Sequence, residues 1–256
     1  MKKMCFVMLA SMMGVVAQAV LIDDFSSGDL SAYTLTVVND GSTNRAVSFG
    51  STAGSVFVAK AADSGHEQAL FLRGDYSLGV RQILMADVRG TGAGWDRDLG
   101  IAVGYTATPP GVPVGSSGDE RTSYVEISYR SNNQVVSYAR NGSVNLTSGQ
   151  EFSGNNYGGD SFTGYVDAIY IERVSATYFE VGWIQGATKH VLTNNGAALN
   201  YTITTDTPGA AVGLYADVRA AITESPVCLD NLRIVPEPSA MALMGLGALL
   251  FARKRK

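Results

Sequence analysis

The chain has 256 residues and a formal net charge of −4, but its ends distort that balance. Residues 20–235 hold thirteen Lys/Arg against twenty-two Asp/Glu, a net of −9. Such an acidic body argues against a nucleic-acid partner, which needs cations to neutralise phosphates, and it offers no basic face to anionic lipid.

Lys2 and Lys3 open the chain, an apolar run follows from Met4 to Val16, and Ala17-Gln18-Ala19 comes next. A basic start, a short greasy run and a small-x-small site form a secretory signal whose apolar part is too short to span a bilayer. The pattern predicts a signal helix over residues 1–19, cut by signal peptidase at Ala17 and Ala19, with the mature chain beginning at Val20. Cys5 leaves with it, so Cys228 is the one cysteine of the mature protein and no intrachain disulfide can form. Stability must come from a core, and about 215 residues suffice for one. Cys228, in the apolar run "PVCLDNLRI", reads as a small buried hydrophobe.

Residues 20–234 show no long helical pattern. The runs "QILMADVRG", "LGIAVGYT", "TSYVEISYR", "QVVSYAR", "GYVDAIYIERV", "ATYFEVGWIQG", "AAVGLYADVR" and "VCLDNLRIV" alternate or are β-branched, with Gly, Asn, Asp and Ser between them. In the third, Val125, Ile127 and Tyr129 share one face and Tyr124, Glu126 and Ser128 the other. In the sixth, Phe179, Val181 and Trp183 share a face, which makes Trp183 a core residue. Period-two patterning at this density predicts a single all-β domain, an antiparallel sandwich of two large sheets. Thr106 to Arg121, rich in proline, and Glu151 to Gly164 read as long loops. The tetrapeptide Ala-Asp-Val-Arg occurs at Ala86–Arg89 and Ala216–Arg219, too short a match to establish a repeat.

The chain closes on Val235-Pro236-Glu237-Pro238-Ser239, an apolar segment from Ala240 to Ala252, and four cations, Arg253 to Lys256. Thirteen helical residues reach about 20 Å, short of a hydrocarbon core of about 30 Å, and Gly245 and Gly247 weaken the helix. Such a segment holds a chain at a membrane only transiently, with its terminal cations on the cytoplasmic side. These three parts, in this order, resemble the PEP-CTERM sorting signal of exported bacterial proteins. The resemblance implies cleavage near Pro236, Glu237 and Pro238 by an exosortase, transient inner-membrane contact through the tail, and delivery to the cell surface or extracellular matrix of a Gram-negative-type bacterium.

The body resembles, more faintly, concanavalin A-like jelly rolls of the laminin-G and lectin type, through "LIDDFSSGDLSAYT" near its start and "AVGLYADVRAA…VCLDNLRIV" near its end. In such folds the first and last strands lie side by side, and carbohydrate or matrix recognition is one of many functions they carry.

Catalytic patterns are sparse. His66 and His190 have no metal-ligand spacing, and no G-x-S-x-G elbow exists. Glycoside hydrolysis needs two positioned carboxylates. The laminarinase-like members of the jelly-roll group carry a compact E-x-D-x-(x)-E strand, whereas "YVEISYR" has Glu126 but Ser128 in place of the aspartate, and "YVDAIYIER" offers Asp167 and Glu172. All three read as outward-facing strand carboxylates. For glycan binding, "GTGAGWDRDLG" supplies Trp95 to stack on a sugar ring and Asp96, Arg97 and Asp98 to bond hydroxyls, with Tyr157 and Phe162 as an extension. Asp23 and Asp24 in the first strand and Asp230-Asn231 in the last would supply oxygen ligands to a structural calcium, with Asp24 and Asp230 as the leading pair. Asn141, Asn145 and Asn200 head sequons that carry no weight in a bacterial chain. The expectation is therefore a non-catalytic surface or matrix protein that contacts polysaccharide; the alternative is a glycan-active hydrolase or lyase with an unrecognised site.

Overall fold

The structure, a computed structural model, describes residues 18–40, 47–61, 67–90, 97–105, 123–130, 134–142, 144–146, 149–153, 160–162, 164–194, 196–204 and 211–236. The strands are, in chain order, β1 (Val20–Asp23), β2 (Thr34–Asp40), β3 (Val47–Thr52), β4 (Ser55–Lys60), β5 (Glu67–Ser77), β6 (Gln82–Arg89), β7 (Arg97–Tyr105), β8 (Ser123–Arg130), β9 (Gln134–Asn141) and β10 (Val144–Asn145). They continue as β11 (Gly149–Ser153), β12 (Asp160–Phe162), β13 (Ala168–Arg173), β14 (Tyr178–Gln185), β15 (Thr188–Val191), β16 (Thr193–Asn194), β17 (Ala197–Ala198), β18 (Asn200–Thr202), β19 (Ala211–Val218) and β20 (Cys228–Pro236). There is no helix among the described residues, and none therefore that is long and apolar enough to cross a membrane. The expected signal helix and C-terminal apolar helix lie outside the described residues.

The first sheet runs β15-β14-β13-β6-β20-β4-β3, with β1 added to β20 and β18 to β14. The second runs β12-β11-β9-β8-β7-β19-β5-β2, with β10 added to β9. The two pack face to face as an all-β sandwich, as the alternation requires: in β8, Val125, Ile127 and Tyr129 enter the core between the sheets while Tyr124, Glu126 and Ser128 take the other face. Phe179, Val181 and Trp183 of β14 do the same from the first sheet, each burial contributing about 1.5–3 kcal/mol.

β1 and β20 are antiparallel neighbours, with Val20 opposite Ile234 and Leu21 opposite Arg233, so the first and last strands lie side by side as expected. β20 is interior, flanked by β6 on one side and by β4 and then β1 on the other. A bulge interrupts its pairing with β6 between Asp230 and Arg233, where Asn231 adopts φ 50°. Pro236, the last described residue of the strand, has no N–H to give to the ladder.

Strand direction gives the sandwich two distinct ends. Val20, Gln82, Arg173 and Pro236 meet at one end of the first sheet, and the connection from Ser77 to Gln82 links it to the matching end of the second. Arg89, Cys228, Arg97, Arg130 and Gln134 mark the opposite end.

Two details depart from the sequence reading, and a third bears on the repeated tetrapeptide. β2 to β5 fall in residues where alternation is weak; in β5, buried Leu70 and Leu72 face away from the main core while Ala69 enters it, so both faces are apolar and period two is masked. The expected loop at 151–164 contributes the end of β11 and all of β12, and those two strands pair in parallel rather than antiparallel. The two Ala-Asp-Val-Arg segments occupy like positions in different sheets, with Ala86 and Ala216 in the core and Asp87 and Asp217 facing away from it.

Candidate functional site

The face of the second sheet turned away from the core carries an unusual set of side chains. Across its strands, Gln68, Asp217, Asp98, Arg130 and Gln134 stand directly opposite one another in β5, β19, β7, β8 and β9. Two aspartates opposed across a sheet repel. Here each has a donor: Gln68 Nε2 donates to Asp217 Oδ2 at 3.0 Å, and Arg130 grips Asp98 through Nε at 2.5 Å and Nη2 at 2.6 Å. Arg130 Nη1 also donates to Gln134 Oε1 at 3.1 Å. Asp98 is 0% exposed and Arg130 7%, so this bidentate pair is shielded from solvent.

The next rows toward the other end are Leu70, Tyr215, Gly100, Ser128 and Val136, and then Leu72, Gly213, Ala102, Glu126 and Tyr138. The small residues are a steric requirement. A Cβ on Gly213 would lie 2.2 Å from the Phe71 carbonyl oxygen, and one on Gly104 would lie 2.4 Å from Leu72 Cδ1. Leu70, Leu72, Ala102, Tyr124 and Tyr215 form a small apolar cluster on this face, with the Tyr124 and Tyr215 rings 6.1 Å apart.

Glu126 is 0% exposed in this setting. Ser128 Oγ donates to its Oε2 at 2.9 Å, whereas its Oε1 is buried with no hydrogen-bond partner; the Tyr215 hydroxyl is likewise buried without one. Burial pushes the Glu126 carboxyl well above its usual range, an effect that the Ser128 bond opposes and nearby Asp98 reinforces. Burial also raises the Tyr215 phenol, so burial favours the neutral form of both groups, and each presents a polar atom able to take part in a hydrogen bond. The sequence reading took Glu126 as an ordinary outward strand carboxylate. It does face away from the core, yet it is fully enclosed, which alternation alone does not show.

Of the residues expected to bind glycan, Asp98 lies in this ladder. Arg97, half-buried, begins β7 with the opposite side-chain parity, and its Nε is buried without a partner. Trp95, Asp96 and Tyr157 lie outside the described residues, as do the side chain of Phe162 and all of His66. His190 stacks on Trp183 at 4.0 Å, and Trp183 is core as expected. The Asp167 carboxylate accepts the Gly186 N–H at 2.6 Å, and Glu172 pairs with Lys189, which also bonds Glu180 at 2.8 Å; both are structural contacts of the first sheet.

The oxygens considered for calcium have protein partners. Asp24 Oδ1 accepts the Ser26 N–H at 3.0 Å and the Ser26 hydroxyl at 2.6 Å within its own turn. Asp23 caps Phe25 and accepts the Tyr33 hydroxyl at 3.1 Å. Asp230 pairs with Arg89 and caps Asn231, whose Nδ2 donates to Asp87 at 2.9 Å. Among the described residues no group of three or more His, Cys, Asp or Glu is placed to hold a metal ion. Cys228 is half-buried, not the fully buried small hydrophobe expected.

The family described as the PEP-CTERM protein-sorting motif matches residues 235–256, which marks the chain for exosortase processing and export to the cell envelope or surface. No curated protein matches the chain by sequence. Among solved structures, the exoplasmic/lumenal domain of VIP36, in a form bound to calcium and Man3GlcNAc, is similar over 84% of this chain and 87% of its own, with a TM-score of 0.48 and 11% identity. A Bacillus subtilis protein of unknown function with a galectin-like fold is similar over 86% and 98%, with a TM-score of 0.46 and 9% identity. A Shewanella oneidensis protein of unknown function is similar over 89% and 90%, with a TM-score of 0.45 and 14% identity.

Proposed function

We propose that the exported body is a non-catalytic, polysaccharide-contacting module of the cell surface or matrix, and that it reads glycan on the outward face of the second sheet. The observation that supports this most directly is the pair of buried, unpartnered polar atoms, Glu126 Oε1 and the Tyr215 hydroxyl, beside a polar ladder. A buried polar group without a partner costs about 1–3 kcal/mol, and since Glu126 and Tyr215 are both 0% exposed, a hydroxylated ligand offsets that cost only by displacing the side chains that cover them. Trp95 and Asp96, which directly precede Arg97, are the residues proposed to stack on and bond the sugar from the segment entering β7. Asp24 and Asp230 are retained as candidates for a structural calcium only in the event that binding proves calcium-dependent.

The test is retention of the protein on immobilised polysaccharides and glycan arrays, with and without chelator. Trp95→Ala and Tyr215→Phe should each lose retention by about tenfold, the worth of roughly 1.4 kcal/mol. No retention on any polysaccharide overturns the reading.

One observation favours a second reading, a glycan-active hydrolase: a carboxyl kept protonated by burial has the property of a general acid. Against it, Asp98 is held by Arg130 and Asp217 by Gln68, which leaves neither poised as nucleophile or base. Release of reducing ends from a polysaccharide, abolished by Glu126→Gln, would establish the hydrolase in its place.

A further inference from the structure

We propose that the end of the sandwich where β1 begins and β20 ends seats directly on the membrane that receives the sorting tail. The body then stands on the bilayer with the Asp98–Arg130 ladder directed away from it. This goes beyond the glycan reading and rests only on insertion of the tail.

The first observation is the length of the tether. Pro236 is still opposite Gln82 in the sheet, and the matched motif already begins at Val235. The apolar segment begins at Ala240, so three residues separate sheet from grease. Four Cα steps reach about 14 Å at full extension. The headgroup layer takes up about 5–8 Å of that on the side of entry. A body tethered so closely cannot stand off the surface.

Unravelling does not lengthen the tether cheaply. Leu232 and Ile234 are buried in the core, and this part of β20 is paired with β6 on one flank and β1 on the other. Releasing Pro236 and Val235 breaks pairing with β6 alone and adds about 7 Å of reach, but release beyond them exposes Ile234 and Leu232 and breaks ladder bonds on both sides.

The second observation is independent of the tail. Among the described residues, six large hydrophobic side chains are exposed, and four of them gather at this end. Val20 (49%) and Leu21 (52%) start β1, Val80 (49%) precedes the β6 residue that faces Pro236, and Val144 (58%) lies opposite Asn141 at the end of β9. Exposed Arg81 stands next to Val80, with its backbone N–H bonded to the Arg173 carbonyl at 2.7 Å. An acidic body with no broad basic face approaches anionic lipid poorly by charge. Half-exposed aliphatic side chains beside Arg81, with the Arg73–Asp75 ion pair at the same end, suit the headgroup–acyl boundary instead. The ladder lies six residues along β7 from this end, about 20 Å farther out.

The experiment uses the chain from Val20 to Lys256, which lacks Cys5 and the apolar signal run, made in a host without an exosortase and reconstituted into phosphatidylethanolamine/phosphatidylglycerol vesicles. Nitroxide labels are placed one at a time at Val80→Cys, Val144→Cys and Glu224→Cys in a Cys228→Ser background. Glu224 is exposed and lies in the connection from β19 to β20 at the far end. Power saturation should place labels 80 and 144 in the headgroup region, favouring oxygen over an aqueous nickel chelate severalfold more than label 224 does. Vesicle-bound chain in which all three labels are equally open to nickel overturns the seating and leaves the tether intact. Chain that does not float with vesicles overturns both.

Discussion

Replacing Arg130 with Met tests whether the outward face of the second sheet is enclosed as described. Arg130 gives three hydrogen bonds, two to Asp98 and one to Gln134, and Asp98 is 0% exposed. Met keeps most of the stem's volume and removes the charge, so the dominant effect is a carboxylate left buried without its counter-ion. Breaking a buried pair in this way costs about 3–5 kcal/mol. For a body of this size, 1 kcal/mol corresponds to about 2–4 °C in Tm, so a fall of about 10 °C is expected. Two companions isolate the cause. Asp75→Asn disrupts the pair between Arg73 and a 54%-exposed carboxylate and should cost under about 1 kcal/mol. Asp98→Leu combined with Arg130→Met removes both charges and should recover most of the loss, because an apolar pair of similar volume can replace a buried ion pair. Chemical and thermal unfolding followed by circular dichroism give all three values. A cost below about 1 kcal/mol for Arg130→Met, or no recovery in the double variant, would falsify the enclosed-ladder account.

The remaining predictions concern single groups. Burial raises the Glu126 carboxyl above its ordinary 4.5, so the folded state holds a proton that the unfolded chain releases, and its contribution to stability declines as pH rises from 4.5 toward the folded value. Glu126→Gln should therefore be more stable than the parent near pH 7, with the difference shrinking to nothing below pH 4.5; urea midpoints across pH 4–8 check the sign. Tyr215→Phe removes a buried unpartnered hydroxyl, so stability should hold or rise by up to about 1 kcal/mol while polysaccharide retention falls. A loss of stability beyond about 1 kcal/mol would mean that the hydroxyl is bonded after all. Gly90 sits at φ 81°, and a Cβ there would lie 2.2 Å from the Pro226 carbonyl oxygen, so Gly90→Ala should cost at least about 2 kcal/mol in unfolding experiments.

The sorting tail, the all-β class and eight of the principal strands are legible in the residues because each depends on local pattern. A charge block and a short apolar run mark the tail, and period-two alternation fixes which side of β8 or β14 enters the core. Trp183 could be assigned for that reason alone. β5 was not legible, because Leu70 and Leu72 are buried on the face away from the core and erase the alternation that marks a strand. The candidate site was legible only in part. Asp98 drew attention through its neighbours Trp95 and Asp96, but its partners Arg130, Asp217 and Gln68 come from three other strands at separations that no local motif encodes. Glu126 shows the same limit most sharply. Alternation determines that it faces away from the core; whether that face is wet or enclosed, and hence whether the carboxyl is charged, depends on what the whole sheet brings around it. Local sequence sets the direction of a side chain, and tertiary structure sets the dielectric it meets.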